Sequence, residues 1–239
     1  MAHHHIVEIR GLVKRFPMGG NHFTALKGID LDIEIGEFTG LVGPSGSGKT
    51  TLLNIIGGLD APSEGTLTVL DMALAEKNHK ELAALRRHGI GFIFQTFNLL
   101  PVYSAYENVE LPLLLLGLPA DKRKAAVMHA LERVGLTDKA QSRPAQLSGG
   151  ESQRVAIARA IVKEPRLVLA DEPTANLDAA NSHNVMGILA RLNRELSTSF
   201  IFATHDEKVM GYLTRVLHLV DGTIQREELV EHPQFLEKV

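Results

Sequence analysis

Cysteine is absent from all 239 residues, which excludes disulfides and thiolate metal sites and fits a reducing compartment. Positive charge is not in excess either. Lys and Arg number 25 against 28 Asp and Glu, for a formal net charge of -3 and a pI of 6.4. That balance gives no electrostatic reason to expect nucleic acid as a partner. Long apolar runs are missing too. The most apolar stretch, Leu111-Pro112-Leu113-Leu114-Leu115-Leu116-Gly117-Leu118, falls well short of the roughly 20 residues of a membrane span, so a membrane role must go through a partner. No secretory signal, internal repeat or low-complexity linker is visible. Met1-Ala2-His3-His4-His5, whose imidazoles could hold a metal, is set outside the fold. The length suffices for one sizeable core with a smaller lobe attached.

What is present is organised around Gly43-Pro44-Ser45-Gly46-Ser47-Gly48-Lys49-Thr50. It follows the apolar run Phe38 to Val42 and leads into Thr51-Leu52-Leu53-Asn54-Ile55-Ile56, the strand, glycine loop and helix of a P-loop. Several backbone N–H groups must turn inward around one polyphosphate, and side chains at Gly46 or Gly48 would block that approach. The helix adds unpaired N–H groups and the positive end of its dipole. Lys49 would reach the β- and γ-phosphates and the Thr50 hydroxyl would ligate Mg²⁺.

Along the chain, strands are expected at Ile6 to Arg15, Phe23 to Leu26 and Leu31 to Ile35, the last alternating apolar and acidic residues with period two. They form a small antiparallel layer. Phe16, just past the first strand, either caps that strand against the core or stacks on a nucleotide base. A short strand covers Thr66 to Leu70 and a helix Lys80 to Arg86. The buried strand Gly89 to Phe94 ends on Gln95, at the strand end where ligands collect in doubly wound sheets. Residues 97–144 look helical, with Asp121 to Val134 apolar at spacings of three and four and Gly135 as the stop. This segment reads as an inserted lobe, and Leu111 to Leu118 as core or as a groove for a partner helix.

Leu147-Ser148-Gly149-Gly150-Glu151 opens a helix running to about Lys163. Ser148 and Glu151 have capping-box spacing, yet the glycines expose N–H groups at a helix N-terminus and so make a second anion site. One nucleotide does not need two such sites in one subunit. Leu167 to Ala170 is a buried strand closed by Asp171-Glu172, an arrangement that is costly unless a cation or proton chemistry uses the acids. Asp171 can hold Mg²⁺ and Glu172 can orient the attacking water. A loop through Asn176-Leu177-Asp178 leads to a helix from Ala179 to Leu196. The strand Phe200 to Ala203 ends in Thr204-His205-Asp206, where His205 could contact a γ-phosphate. Val216 to Val220 and Thr223-Ile224 suggest a final hairpin, and the tail 226–239 is charged.

With these pieces in order, the chain resembles the nucleotide-binding subunit of ABC transporters over nearly its whole length. Gly43 to Thr50 matches Walker A, Gln95 the Q-loop, Leu147 to Glu151 the signature and Leu167 to Glu172 Walker B. Asn176 to Asp178 matches the D-loop, His205 the switch histidine and Phe16 the base-stacking aromatic. The resemblance implies an α/β fold: a P-loop NTPase (RecA-like) core over 6–96 and 145–225 with an N-terminal antiparallel β layer, and an inserted α-helical lobe at 97–144. It implies Glu172, His205, Gln95, Asp178 and Lys49 as catalytic groups. ATP would be held by Phe16, residues 43–51 including Thr51, and Ser148, Gly149, Gly150 and Glu151. Mg²⁺ would be held by Thr50, Gln95 and Asp171.

The two anion sites are explained if two copies face each other head to tail, each ATP lying between one P-loop and the other copy's signature. Phe92 to Pro101, Glu107 to Pro112 and Ala170 to Thr174 resemble the lipoprotein-release and macrolide-export branch, whose membrane subunits transmit force. Because the chain stops short of any span, it is expected to be a separate subunit, peripheral on the cytoplasmic face and bound to integral membrane permease subunits. Three positions depart from the branch: Phe16 for tyrosine, Ala175 for glycine, and Ser152 for a longer polar or basic residue. Rival readings are a regulatory ABC ATPase driving a cell-wall remodelling complex, and a soluble ABC protein acting on nucleic acid. The latter usually carries two cassettes or a long coiled-coil insertion, for which this chain has no room. A P-loop kinase is disfavoured by the signature.

Overall fold

A computed structural model describes residues 5–231 and residue 233. The antiparallel layer is built from β1 (His5–Met18), β2 (Asn21–Glu34), β4 (Glu64–Val69) and β5 (Met72–Ala73) in the order β2-β1-β4-β5. The second and third expected strands are one continuous β2. Leu12 pairs with Ile29 and Val13 with Lys27, so Gly28, at φ 81°, is the extra residue of a bulge. A glycine inside a strand often marks a bulge rather than a break.

The larger sheet runs β10-β9-β3-β8-β7-β6. Here β3 (Phe38–Val42), β6 (Ile90–Ile93), β7 (Leu167–Asp171), β8 (Ser199–Thr204) and β9 (Arg215–Val220) are parallel, and β10 (Thr223–Leu229) closes the edge as an antiparallel hairpin partner of β9. Alternate residues of the buried strands face two different cores. Leu41, Leu169, Ile201 and Leu217 join the antiparallel layer and α1 (Lys49–Ile56) in one. Phe38, Val168, Phe200 and Phe202 join the helices on the other face, with Phe38 and Phe202 packed edge to face at 4.6 Å. Period-two alternation in strands buried on both faces is what gives each face its own apolar set.

The helices on that second face are α3 (Ala105–Leu115), α4 (Ala120–Arg133), α5 (Gly149–Ile161) and α6 (Ala179–Leu196), while α2 (His79–Gly89) precedes β6 and α7 (Glu207–Met210) follows β8. Val109, Leu113, Val127 and Leu131 of α3 and α4 share one apolar core with Ile157 of α5 and Val168 of β7. The expectation of helix from Phe97 onward is corrected. Residues 97–104 are loop, with Phe97 and Asn98 at φ 59° and 50°. Arg159 of α5 donates to both of their carbonyls, and the helix begins only at its capping box, Ser104 with Glu107. The Leu111 to Leu118 run divides: Leu113 is buried, while Leu114 and Leu115 are exposed. The C-terminal hairpin continues to Leu229, into the stretch expected to be tail. His3 and His4, and most of the chain past Leu229, lie outside the described residues, whereas His5 begins β1.

Candidate nucleotide site

The loop between β3 and α1 is shaped by close approaches that glycine alone allows. A Cβ on Gly43 would stand 2.0 Å from the Leu219 carbonyl oxygen. Gly48 has φ 106° and packs on Leu26 and the Ala25 carbonyl of β2. Gly48 also starts α1, with no side-chain cap and no acid in the first turn. The positive end of that helix is therefore left open to an anion. Ser47 Oγ, inside the loop, is buried without a hydrogen-bond partner. Lys49 is 6% exposed, and its ammonium donates to the carbonyls of Gly43 at 2.7 Å and Pro44 at 2.9 Å. Burial pushes the Lys49 pKa down, while Glu172 and Asp171 act in the opposite direction. Both carboxylates are thus close enough to be felt by one lysine.

Those acids sit at the end of β7. The Thr50 hydroxyl donates to Asp171 Oδ1 at 3.0 Å. Burial raises the Asp171 pKa, with Thr50 opposing. A hydroxyl and a partly buried carboxylate at the mouth of a phosphate-shaped loop are the oxygen donors a small hard cation takes, so the residues present fit Mg²⁺. Glu172 adopts φ 47°, a left-handed conformation in a residue with no glycine freedom, and such outliers cluster at functional sites. Its N–H donates to the Ala203 carbonyl of β8 at 2.8 Å, and its Oε1 lies 2.7 Å from His205 Nδ1, just past the end of that strand.

Gln95 stands two residues past the end of β6, in a turn, rather than at the strand end itself. It is tied through its main-chain carbonyl to Asn176 Nδ2 at 2.8 Å, not to the Thr50 and Asp171 pair. That bond joins the Q-loop and D-loop positions, and nothing in the spacing of the two motifs foretold it. Asp178 caps α6 by accepting from the Asn181 N–H at 2.8 Å, which holds its carboxyl below the usual range. Phe16 is inside β1, paired with Phe23, and its ring belongs to neither apolar core. The Lys14 ammonium lies 4.8 Å from the ring centroid, a cation–π contact that sequence spacing had not suggested.

Ser148, Gly149, Gly150 and Glu151 are elsewhere. Ser148 Oγ accepts from the Glu151 N–H at 3.2 Å and Glu151 Oε2 accepts from the Ser148 N–H at 2.8 Å, so the capping box is made. The Glu151 carboxylate is thereby spent on its own helix and on Lys139 at 3.7 Å, which gives it a capping role. The helix that begins here packs on the face of the sheet opposite α1. The two helix N-termini, that of α1 open and that of α5 capped, therefore lie on different faces of the sheet.

A family model described as ABC transporter matches residues 26–175. The lipoprotein-releasing system ATP-binding protein LolD of Pseudoalteromonas translucida is 44% identical over 223 residues, which are 93% of this chain and 96% of that protein. The macrolide export ATP-binding/permease protein MacB 1/2 of Paracoccus denitrificans is 48% identical over 219 residues, 92% of this chain but only 33% of that protein's length. A solved dimeric ATP-binding cassette from Methanocaldococcus jannaschii, in a post-hydrolysis state bound to ADP and Pi, aligns with a TM-score of 0.87 at 41% identity, covering 93% of this chain and 98% of that one. The matched solved structures are ABC cassettes, which fixes the fold as the α/β P-loop NTPase type. The chain belongs to the ABC transporter family, as one of its ATP-binding cassette ATPases.

Proposed function

We propose that this chain binds Mg-ATP between two head-to-tail copies of itself and hydrolyses it to drive integral membrane subunits, transmitting force in the manner of lipoprotein release or macrolide export. The observation that carries the reading is convergence. Lys49 and Thr50 after β3, Asp171 and Glu172 after β7, and His205 after β8 are brought together, while Ser148 opens α5, which packs on the opposite face of the sheet from α1. A set complete for phosphate, cation and base, yet separated from a second anion site, supports a pocket closed by another copy.

Residues 43–51 cradle the phosphates, with Lys49 exchanging the Gly43 and Pro44 carbonyls for phosphate oxygens. Phe16, already carrying a cation on one side of its ring, offers the other to the base. Thr50 and Asp171 would hold Mg²⁺, with Gln95 reaching it once the Q-loop closes; the ion, when bound, neutralises developing phosphate charge. Glu172 takes the proton of the attacking water, and His205 steadies the carboxylate it touches. Ser148, Gly149 and Gly150 of the second copy donate to the terminal phosphate, and Asp178 stands at the seam between copies.

No described helix is long and apolar enough to cross a membrane. A cavity of about 700 Å³ lined by Leu59, Arg86, Phe94, Leu111, Leu115 and Arg159 supports docking of a membrane subunit on the cytoplasmic side. The test is Glu172→Gln. It retains ATP binding, loses about 10²- to 10⁴-fold in turnover and accumulates as a dimer with ATP. A variant that stays monomeric with saturating ATP in sedimentation defeats the shared-site reading.

A further inference from the structure

Gln153 lies inside α5 and is fully buried. Its Nε2 donates to the Pro173 carbonyl at 2.7 Å. The other side-chain atom, Oε1, is buried without a partner, as is Thr174 Oγ1 in the same loop. A buried amide half satisfied is worse for stability than an apolar side chain of its size. The neighbours on its helix face, Gly150, Ile157 and Ala160, are buried without such a cost. Some task other than packing accounts for the amide.

The turn after Glu172 sets that task. A left-handed conformation is strained in a residue other than glycine or asparagine, and it relaxes unless its surroundings over-determine it. Hydrogen bonds hold the turn from three directions. Glu172 N–H donates to the Ala203 carbonyl at 2.8 Å, and Ala175 N–H donates to the Glu172 carbonyl at 3.2 Å. The third is the Gln153 bond to Pro173, the one of these three main-chain anchors that a side chain supplies. Pro173 has no N–H with which to anchor itself, so its peptide is held through the carbonyl.

We propose that Gln153 is a positioning residue for ATP hydrolysis: by holding the Pro173 carbonyl it fixes the Pro173–Thr174 peptide, and through the locked φ of the proline next to Glu172 it aims the Glu172 carboxylate. The proposal rests on Glu172 being the base. Gln153 touches neither nucleotide nor water and acts only through that turn.

The experiment measures steady-state ATP hydrolysis by the full chain carrying Gln153→Met, which keeps the volume and removes the donor. Misplacing a reacting group by about 1 Å can cost on the order of 10²-fold, so kcat is expected to fall about tenfold or more. KM should stay within about twofold, with an unchanged melting temperature. A kcat within about twofold of wild type overturns the proposal. So does a loss of kcat matched by equal losses in ATP affinity and melting temperature, as plain core damage would give. Should Gln153→Met not fold, Gln153→Leu decides by the same split, since it too removes the donor: kcat falls about tenfold or more with KM within about twofold, and a kcat within about twofold of wild type overturns the proposal. Glu172→Gln separates the two readings: normal turnover there means Glu172 is not the base, whereas its loss beside a normal Gln153→Met sinks the positioning role alone.

Discussion

His205 Nδ1 and Glu172 Oε1 lie 2.7 Å apart, with 58% of the histidine side chain and 14% of the glutamate exposed. In the proposed role of Glu172 as the base, one carboxylate oxygen is engaged by the imidazole and the other is left for the attacking water. Removing the ring frees the carboxylate to rotate while leaving the P-loop intact. His205→Ala should therefore bind ATP normally and lose about 10²-fold in kcat, the lower end of what a misaligned base costs. Nucleotide titration beside steady-state hydrolysis checks it, and a variant with weakened binding but normal kcat would put His205 on the phosphate instead.

Two glycines of the same loop should respond differently to one methyl group. Gly46 has φ 80° and open space around its would-be Cβ, so Gly46→Ala carries only the left-handed penalty of about 1 kcal/mol. At Gly43 the new Cβ would meet the Leu219 main-chain oxygen at 2.0 Å, and the β9 strand behind it cannot yield as a side chain end would. Gly43→Ala should lose about 2–3 kcal/mol, in the upper range of overpacking. Urea unfolding of both variants tests the order, which equal losses would contradict.

Lys163 gives a pH prediction of definite sign. Its ammonium donates to the Arg86 and Arg87 carbonyls in the last turn of α2, a C-terminal cap. Burial nevertheless lowers its pKa to about 8. Between that value and the unfolded value of 10.5 the unfolded chain binds more protons, so stability rises with pH across this window. The penalty is fully present below the window. Discounted for the exposed part of the group, wild type should gain on the order of 1–2 kcal/mol relative to Lys163→Met between about pH 7 and pH 10. Chemical denaturation at each pH reads the difference, and a flat difference removes burial as the cause.

The candidate phosphate, cation and base positions were legible because they stand at boundaries that residue types mark. Apolar runs end at Val42 and Ala170, glycines follow the first, and adjacent acids follow the second. The α6 span, Ala179–Leu196, was readable to the residue, since Asp178 caps one end and the apolar spacing runs to the other. Periodicity could not supply the links between motifs. Asn176 holding Gln95, and Thr50 holding Asp171, span 81 and 121 residues, and such pairs exist only once β3, β8, β7 and β6 are laid side by side. Residues 97–104 misled because Leu99, Leu100 and Pro101 carry no strand alternation, and helix was the remaining reading. Phe97 and Asn98 in left-handed conformations, with Arg159 on their carbonyls, decide otherwise. Gln153 left a faint signal, a polar residue on the face that Ile157 continues, too weak to read without the Pro173 contact.

The capping bond of Ser148 is compatible with the proposed second use of its motif. As a cap, its Oγ accepts from the Glu151 N–H; accepting uses a lone pair and leaves the hydroxyl proton free to donate to a phosphate of the facing copy. The two uses can be separated by substitution. Ser148→Ala loses the cap, at about 1 kcal/mol, together with the donor. Ser148→Asp keeps an oxygen for the Glu151 N–H, and a carboxylate at a helix N-terminus is favourable, so its melting temperature should match or exceed that of wild type. It nevertheless places a negative charge where the proposed shared pocket brings the terminal phosphate of the facing copy's nucleotide. In a Glu172→Gln background, where ATP-bound dimers persist, Ser148→Asp should therefore remain monomeric in sedimentation while each copy still binds ATP through its own P-loop. If the aspartate variant dimerises with ATP as readily as its parent, the phosphate of the opposing copy does not lie at Ser148 and the shared pocket must be built another way.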